Sequence, residues 1–240
     1  MDKTGWRTYC FGRYLVELPP EAKVRSAYKM WGIEIESVPA ETPATLKARI
    51  DKREGELKAS RHESGESMFV RRVDYGNGSV SLLSWNSPRR KILMSEESYF
   101  VATNPWRVFR YNGEISASRQ DHAVSLIGAL ATNIRARSDK EIPSGPGFCI
   151  DEGFVAGGEY RTEEVQVGIT FPQHPNALIT IDASTGAEQD RLLERVDKFF
   201  ATAVAGQLSG LKILRKRQRN VGPIEAEEAH ENKKILKFLN

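Results

Sequence analysis

The chain has little of what chemistry-bearing folds require. Its 240 residues hold two cysteines, Cys10 and Cys149, and four histidines, at positions 62, 122, 174 and 230. Two cysteines make no disulfide framework, and the histidines stand too far apart for ligand spacing, so neither a bound metal nor a cofactor is expected. No run approaches the roughly 18 apolar residues of a membrane helix. A Walker loop, a G-x-S-x-G elbow and a strand-borne G-x-G-x-x-G are all missing; "GNGSVS", "QLSGL" and "SGPGFC" do not match them. A charge excess is missing too, because 35 basic side chains against 32 acidic ones leave a net charge of +3, with the signs interleaved. Phosphate-binding proteins gather a basic surplus on one face, so this balance favours no such partner. The opening "MDKTGWRTYC" carries neither the basic start nor the apolar stretch of a signal peptide, which makes cytoplasmic residence the expectation from sequence alone.

What is there reads as strands interrupted by two kinds of helix signal. "FGRYLVEL" is strand material stopped by Pro19-Pro20, and "KVRSAYKMWGIEIESV" resumes as a long strand in which Ile33 and Ile35 alternate with Glu34 and Glu36. "ETPATLKARIDKREGELKAS" follows as a helix. Thr42 caps it, Pro43 fits its first turn, and Leu46, Ile50 and Leu57 share one face. Four strands come next, "SMFVRRVDY", "SVSLLSW", "RKILMSEESYFVA" and "RVFRY", separated by the turn stretches "GNG", "NSP" and "TNP". Such a series is an antiparallel meander. A second helix is expected over about Ser118 to Ala136, with Ser118 and Asp121 as a capping box and Val124, Ile127, Leu130, Ala131 and Ile134 as its stripe.

"RSDKEIPSGPG", residues 137–147, is charged and then rich in Pro, Gly and Ser, and reads as a linker. After it the pattern repeats: the strands "FCIDEGFVA", "EVQVGITF" and "ALITIDA" lead to a helix over residues 185–206, capped by Thr185 with Glu188. Cys10 and Cys149 hold matching places in the two halves. The expected fold class is therefore α+β, with two related domains of mainly antiparallel sheet packed with helices. They span residues 1–140 and 141–240. The second copy is shorter, and "KILKFLN" at its end is strand-like, so the reading is of an abbreviated or truncated domain. Two readings stay open for the cysteines: small buried hydrophobes, or a bridge that needs their strands side by side with α-carbons within about 7 Å.

No constellation of catalytic residues emerges, and the chain is not expected to be an enzyme. In "LKILRKRQRN", residues 211–220, alternation puts Arg215, Arg217 and Arg219 on one face and Lys216 and Gln218 on the other. The alternative function is thus a phosphate- or nucleic-acid-binding module using the basic strand 212–219, although the interleaved aromatics of such surfaces are absent there. "EAEEAHE" reads as solvated charge. Trp31 falls in a long strand, Trp85 ends one, and Trp106 follows a turn.

"CFGRYLVELP", followed by a strand and a capped helix, and "GFCIDEGFVAG" after the Pro/Gly linker resemble the immunity proteins that neutralise type VI secretion lipase effectors, the Tle-cognate immunity family. Cys10, Gly12, Arg13 and Tyr14 through Pro19 look like the opening of its N-terminal domain. Phe148, Cys149, Gly153 and Phe154 look like the opening of its C-terminal domain. The resemblance implies a non-enzymatic, two-domain, claw-like protein that grips a cognate secreted phospholipase in the periplasm and blocks substrate access. These motif residues are expected to build the fold, not to touch the partner. Contacts are expected at loop tips projecting from the meander, "NSPRR" and "TNPWR", and so at Arg89, Arg90 and Trp106.

Overall fold

Two-residue turns hidden inside apolar runs set the architecture. The computed structural model describes residues 3–158, 162–185, 193–194, 197, 213–218 and 227–231. "FGRYLVEL" is not one strand. The strands β1 (Arg7–Phe11) and β2 (Tyr14–Leu18) form a hairpin closed by Gly12 and Arg13. The long strand around Trp31 is likewise a hairpin, of β3 (Lys23–Met30) and β4 (Ile33–Ser37). Trp31 and Gly32 turn it with φ of 53° and 76°, the two successive left-handed residues that match strand twist in tight hairpins. "FCIDEGFVA" folds the same way, into β10 (Gly147–Ile150) and β11 (Gly153–Ala156) around Asp151 and Glu152.

The first helix, α1 (Pro43–Ala59), forms as its signals require. The Thr42 hydroxyl accepts a hydrogen bond from the Thr45 amide, and the Thr45 hydroxyl accepts one from the Thr42 amide, so two orphan donors at the helix start are satisfied. The meander follows as β5 (Phe69–Asp74), β6 (Val80–Trp85), β7 (Leu93–Thr103) and β8 (Trp106–Ser116). The second helix is shorter than its pattern. α2 (Gln120–Asn133) is entered through a 3-10 turn at Ala117–Arg119, and Ile134 to Ala136 leave it as strand β9 (Ile134–Ala136). Ser118 does not cap it: its hydroxyl pairs with Ser116, and Asp121 is taken by Arg71 at 3.0 Å.

With β12 (Glu163–Phe171) and β13 (His174–Ser184), an eight-stranded sheet runs β13-β12-β3-β4-β8-β7-β6-β5, antiparallel throughout. Leu46, Ile50 and Leu57 of α1 pack on Val80, Leu82, Tyr99, Val101 and Val108 of one face. Ile127, Leu130 and Ala131 of α2 join the larger cluster on the other, with Leu83, Phe100, Phe109 and Tyr111. Burial on both faces explains why "VSLLS" is apolar or small at every position.

The internal repeat is a repeat of hairpins. Cys10 and Cys149 each stand two residues before a hairpin loop, and each Cys hairpin is followed by a longer one, β3-β4 or β12-β13. The longer hairpins meet edge to edge, with Ser26 opposite Val167 near the middle of the β3-β12 ladder. Strands from either side of residue 140 thus share one sheet. The segment after β9 is not wholly solvated, because Arg137 is 5% exposed.

Residues 1–186 form one compact unit and residues 187–240 a second. In the second, β14 (Ile213–Gln218) pairs antiparallel with β15 (Glu227–Glu231). Of the expected helix over 185–206, Thr185 is a bend whose hydroxyl accepts from the Glu163 amide at 3.0 Å, and Leu193, Glu194 and Asp197 are helical; Glu188 and "KILKFLN" lie outside the described residues.

Candidate partner-binding site

The "CFGRY" stretch fastens the first hairpin to the second Cys hairpin. Cys10 and Cys149 form a disulfide with their α-carbons 5.8 Å apart. Beside it the backbones of Gly12 and Cys149 exchange two hydrogen bonds, of 2.9 and 2.7 Å. This contact requires glycine. Its φ is +55°, and a Cβ there would stand 2.9 Å from Val165 and 3.1 Å from the Phe148 ring. Arg13 then reaches across the turn. Its Nε and Nη2 donate to the two carboxylate oxygens of Glu163 at 2.6 and 2.8 Å, and its Nη1 to the carbonyls of Gly147 and Gly157 at 3.4 Å. Nη2 also donates to the Gly158 carbonyl. The Glu163 side chain is fully buried, and a two-pronged guanidinium is the partner that offsets the cost of burying a carboxylate.

A cleft of about 620 Å³ opens beside this seam, lined by Tyr9, Phe11, Arg25, Asp139, Asp151 and Glu152 among others. Tyr9 and Phe11 stack in parallel at 5.8 Å to form one wall. Asp151 is held by the Ser26 and Tyr28 hydroxyls, each 2.9 Å from Oδ1. Burial, reinforced by the charge of Asp151, raises the Tyr28 hydroxyl well above the usual tyrosine range, so it remains a donor. Glu152 accepts from Ser37 at 2.6 Å and pairs with Arg107 at 3.3 Å. Arg137 closes the floor by donating to the carbonyls of Ser138, Glu141, Ile150 and Gly153 at 3.1–3.2 Å. The cleft is thus preorganised and mixed in charge.

The loop-tip residues fall in two places. Arg89 and Arg90 are exposed in the connection between β6 and β7, where Arg89 pairs with Glu63 at 2.9 Å and Ile92 is 62% exposed. Trp106 starts β8 at the other end of β7. The 11 residues of β7 lie between, roughly 35 Å of extended chain. The indole of Trp106 donates to the Glu41 carbonyl at 2.9 Å and packs against the α1 cluster. A partner that touches all three must span the length of β7.

The basic strand faces an acidic one. In the β14-β15 ladder Arg217 lies opposite Glu228, and Gln218 opposite Glu227. Lys216 pairs with Asp197. An acidic partner strand opposite Arg217, with Lys216 paired to Asp197, suits a guarded surface pair better than a phosphate track. Arg219 lies outside the described residues.

Sequence reasoning missed the roles of Arg13, Asp151 and Arg137. The available signal was "IDEG", an Asp-Glu-Gly turn stretch between two apolar triplets.

Comparison with known proteins is consistent along the chain. Residues 7–122 match the family described as Tle cognate immunity protein 4 N-terminal domain, and residues 141–235 its C-terminal domain. The apo structure of immunity protein TplEi of the type VI secretion system from Pseudomonas aeruginosa is 44% identical, with a TM-score of 0.85 over 95% of this chain and 76% of that one. The Tle4–Tli4 complex contains a chain 44% identical, with a TM-score of 0.86 over 95% of this chain and 75% of that one. TplEi from the same organism, complexed with an "L" peptide, is 42% identical, with a TM-score of 0.78 over 95% of this chain and 75% of that one. No curated protein matches.

Proposed function

The chain belongs to the Tle cognate immunity protein 4 family, and from that premise we propose that it binds a cognate type VI secreted lipase and keeps substrate from the enzyme's active site. One observation carries this reading: 44% identity over 95% of the chain to a protein solved in the Tle4–Tli4 complex. The chain acts by occupying a surface, not by catalysis. Affinity in such complexes comes from a few desolvated anchors, while rim charges speed encounter. Arg89 and Arg90 serve as rim contacts, and Trp106 holds the β7-β8 hairpin on α1. The site of action is the periplasm. The Cys10–Cys149 bridge supports this, because disulfides form and persist in oxidising compartments.

Calorimetric titration of the cognate lipase with this chain tests the proposal. Saturation at a fixed molar ratio is expected, and absence of binding heat together with separate elution overturns it. Replacing Arg89 and Arg90 by alanine should slow association several-fold at low salt and hardly at all at high salt. Unchanged association at both would remove that loop from the interface.

A further inference from the structure

We propose that the Cys10–Cys149 bridge is a redox lock on the first hairpin, closed by oxidation, and that the chain binds its partner only when locked. The inference rests on the binding reading above. The β1-β2 hairpin stands outside the eight-stranded sheet as a two-stranded sheet of its own. Two strands alone are marginal in water, so the attachments of this hairpin decide whether it is held. Its covalent and polar attachments to the rest of the fold are concentrated at its closed end: the disulfide, the Gly12–Cys149 hydrogen bonds and the Arg13–Glu163 pair. Phe11 and Leu18 add apolar contact, while Tyr14 and Leu15 are 47% and 58% exposed. The same hairpin supplies Tyr9 and Phe11, the aromatic wall of the cleft, so losing the hairpin dismantles the cleft.

Access fixes the order of events. Cys149 is 0% exposed, and Cys10, at the edge of the cleft, only 9%, so the Cys149 sulfur is out of reach and the Cys10 sulfur nearly so while the hairpin is seated. Oxidation therefore precedes final docking, and reduction requires the hairpin to lift first. The reaction needs a dithiol–disulfide oxidant. The Cys10 thiolate attacks a sulfur of that oxidant's disulfide and expels one thiolate. The Cys149 thiolate then attacks Cys10 Sγ and expels the other. Two protons and two electrons pass to the oxidant, which leaves as a dithiol.

The test compares oxidised wild type with the C10S/C149S double variant by hydrogen exchange and by titration against the cognate lipase. The lock predicts at least tenfold faster exchange over residues 7–18 in the variant, unchanged exchange over residues 69–116, and at least tenfold weaker binding. Equal binding by both proteins overturns it. A wild type that fails to bind at all overturns the proposed function instead, and the exchange comparison still decides the lock. Should the variant lose protection over residues 69–116 as well, reduction of native wild type decides. Thiol release must then plateau with reductant concentration at the opening rate of residues 7–18. Release that rises linearly without a plateau overturns the lock.

Discussion

Arg13 gathers four residues, Gly147, Gly157, Gly158 and Glu163, that lie 134 to 150 positions away in sequence. Removing its guanidinium takes the two-pronged partner from a fully buried Glu163 carboxylate, so Arg13→Ala should lower unfolding free energy by about 3–5 kcal/mol in urea titration. Arg13→Lys keeps the charge but not the fork, and should fall between wild type and alanine. A loss within 0.5 kcal/mol, roughly the level of an ordinary surface change, would contradict this role. A second buried acid behaves differently. Glu96 is 1% exposed on the α2 face, beside the hydroxyls of Ser98 and Ser81, with Oε2 unpartnered. Burial first, and then the neighbouring charge of Glu97, push it up to about 8. The raised folded-state value means its neutral form fits the fold. Stability is full below the ordinary glutamate range and declines as pH rises towards 8. Glu96→Gln should therefore be near neutral at pH 4.5 and stabilising by on the order of 3 kcal/mol at pH 7, read from urea midpoints. A pH-independent difference would refute the assignment.

At the scale of elements, the turns matter most. Gly12 and Gly32 both close hairpins with positive φ, but their surroundings differ. A Cβ at Gly32 meets nothing within 4 Å, while one at Gly12 strikes Val165 and Phe148. Gly32→Ala should cost about 1 kcal/mol of backbone strain. Gly12→Ala should cost at least about 2–3 kcal/mol, because the overpacked contact lies in the seam. Equal thermal midpoints for the two variants would contradict the close approach. The same turns mark how far the sequence could be read. α1 and the meander were legible because Thr42, Pro43, "GNG" and "TNP" announce their boundaries. The hairpins at Gly12, Trp31 and Glu152 were not, since Trp31 and Glu152 are non-glycine residues at φ of 53° and 58° inside strand-like runs. Such residues adopt left-handed backbone only because the surrounding sheet fixes them. The α2 stripe likewise continued through Ile134, which is buried as the first residue of β9. Among the site residues, a polar turn was visible at Asp151, but the partners Ser26 and Tyr28 lie more than 120 residues away. Long-range partners leave no local pattern.

At the largest scale, the decisive feature is that two Cys hairpins and two longer hairpins join the strands before and after residues 137–147 within the unit of residues 1–186. The disulfide closes a span of 139 residues. Constraining so long a loop in the unfolded chain contributes about 5 kcal/mol in the chain-entropy account. Reduced protein should accordingly unfold at a clearly lower urea midpoint than oxidised protein, and coincident midpoints would show that the other seam contacts suffice. Trp106 and the Arg89–Arg90 loop stand at opposite ends of β7, so a partner that meets both spans the length of that strand. The central claim is inhibition. Its most direct measurement is phospholipase activity of the cognate lipase on lipid vesicles, titrated with the oxidised chain. Activity should fall linearly to near zero at a fixed stoichiometric ratio. Full activity at several-fold excess of the chain would contradict it.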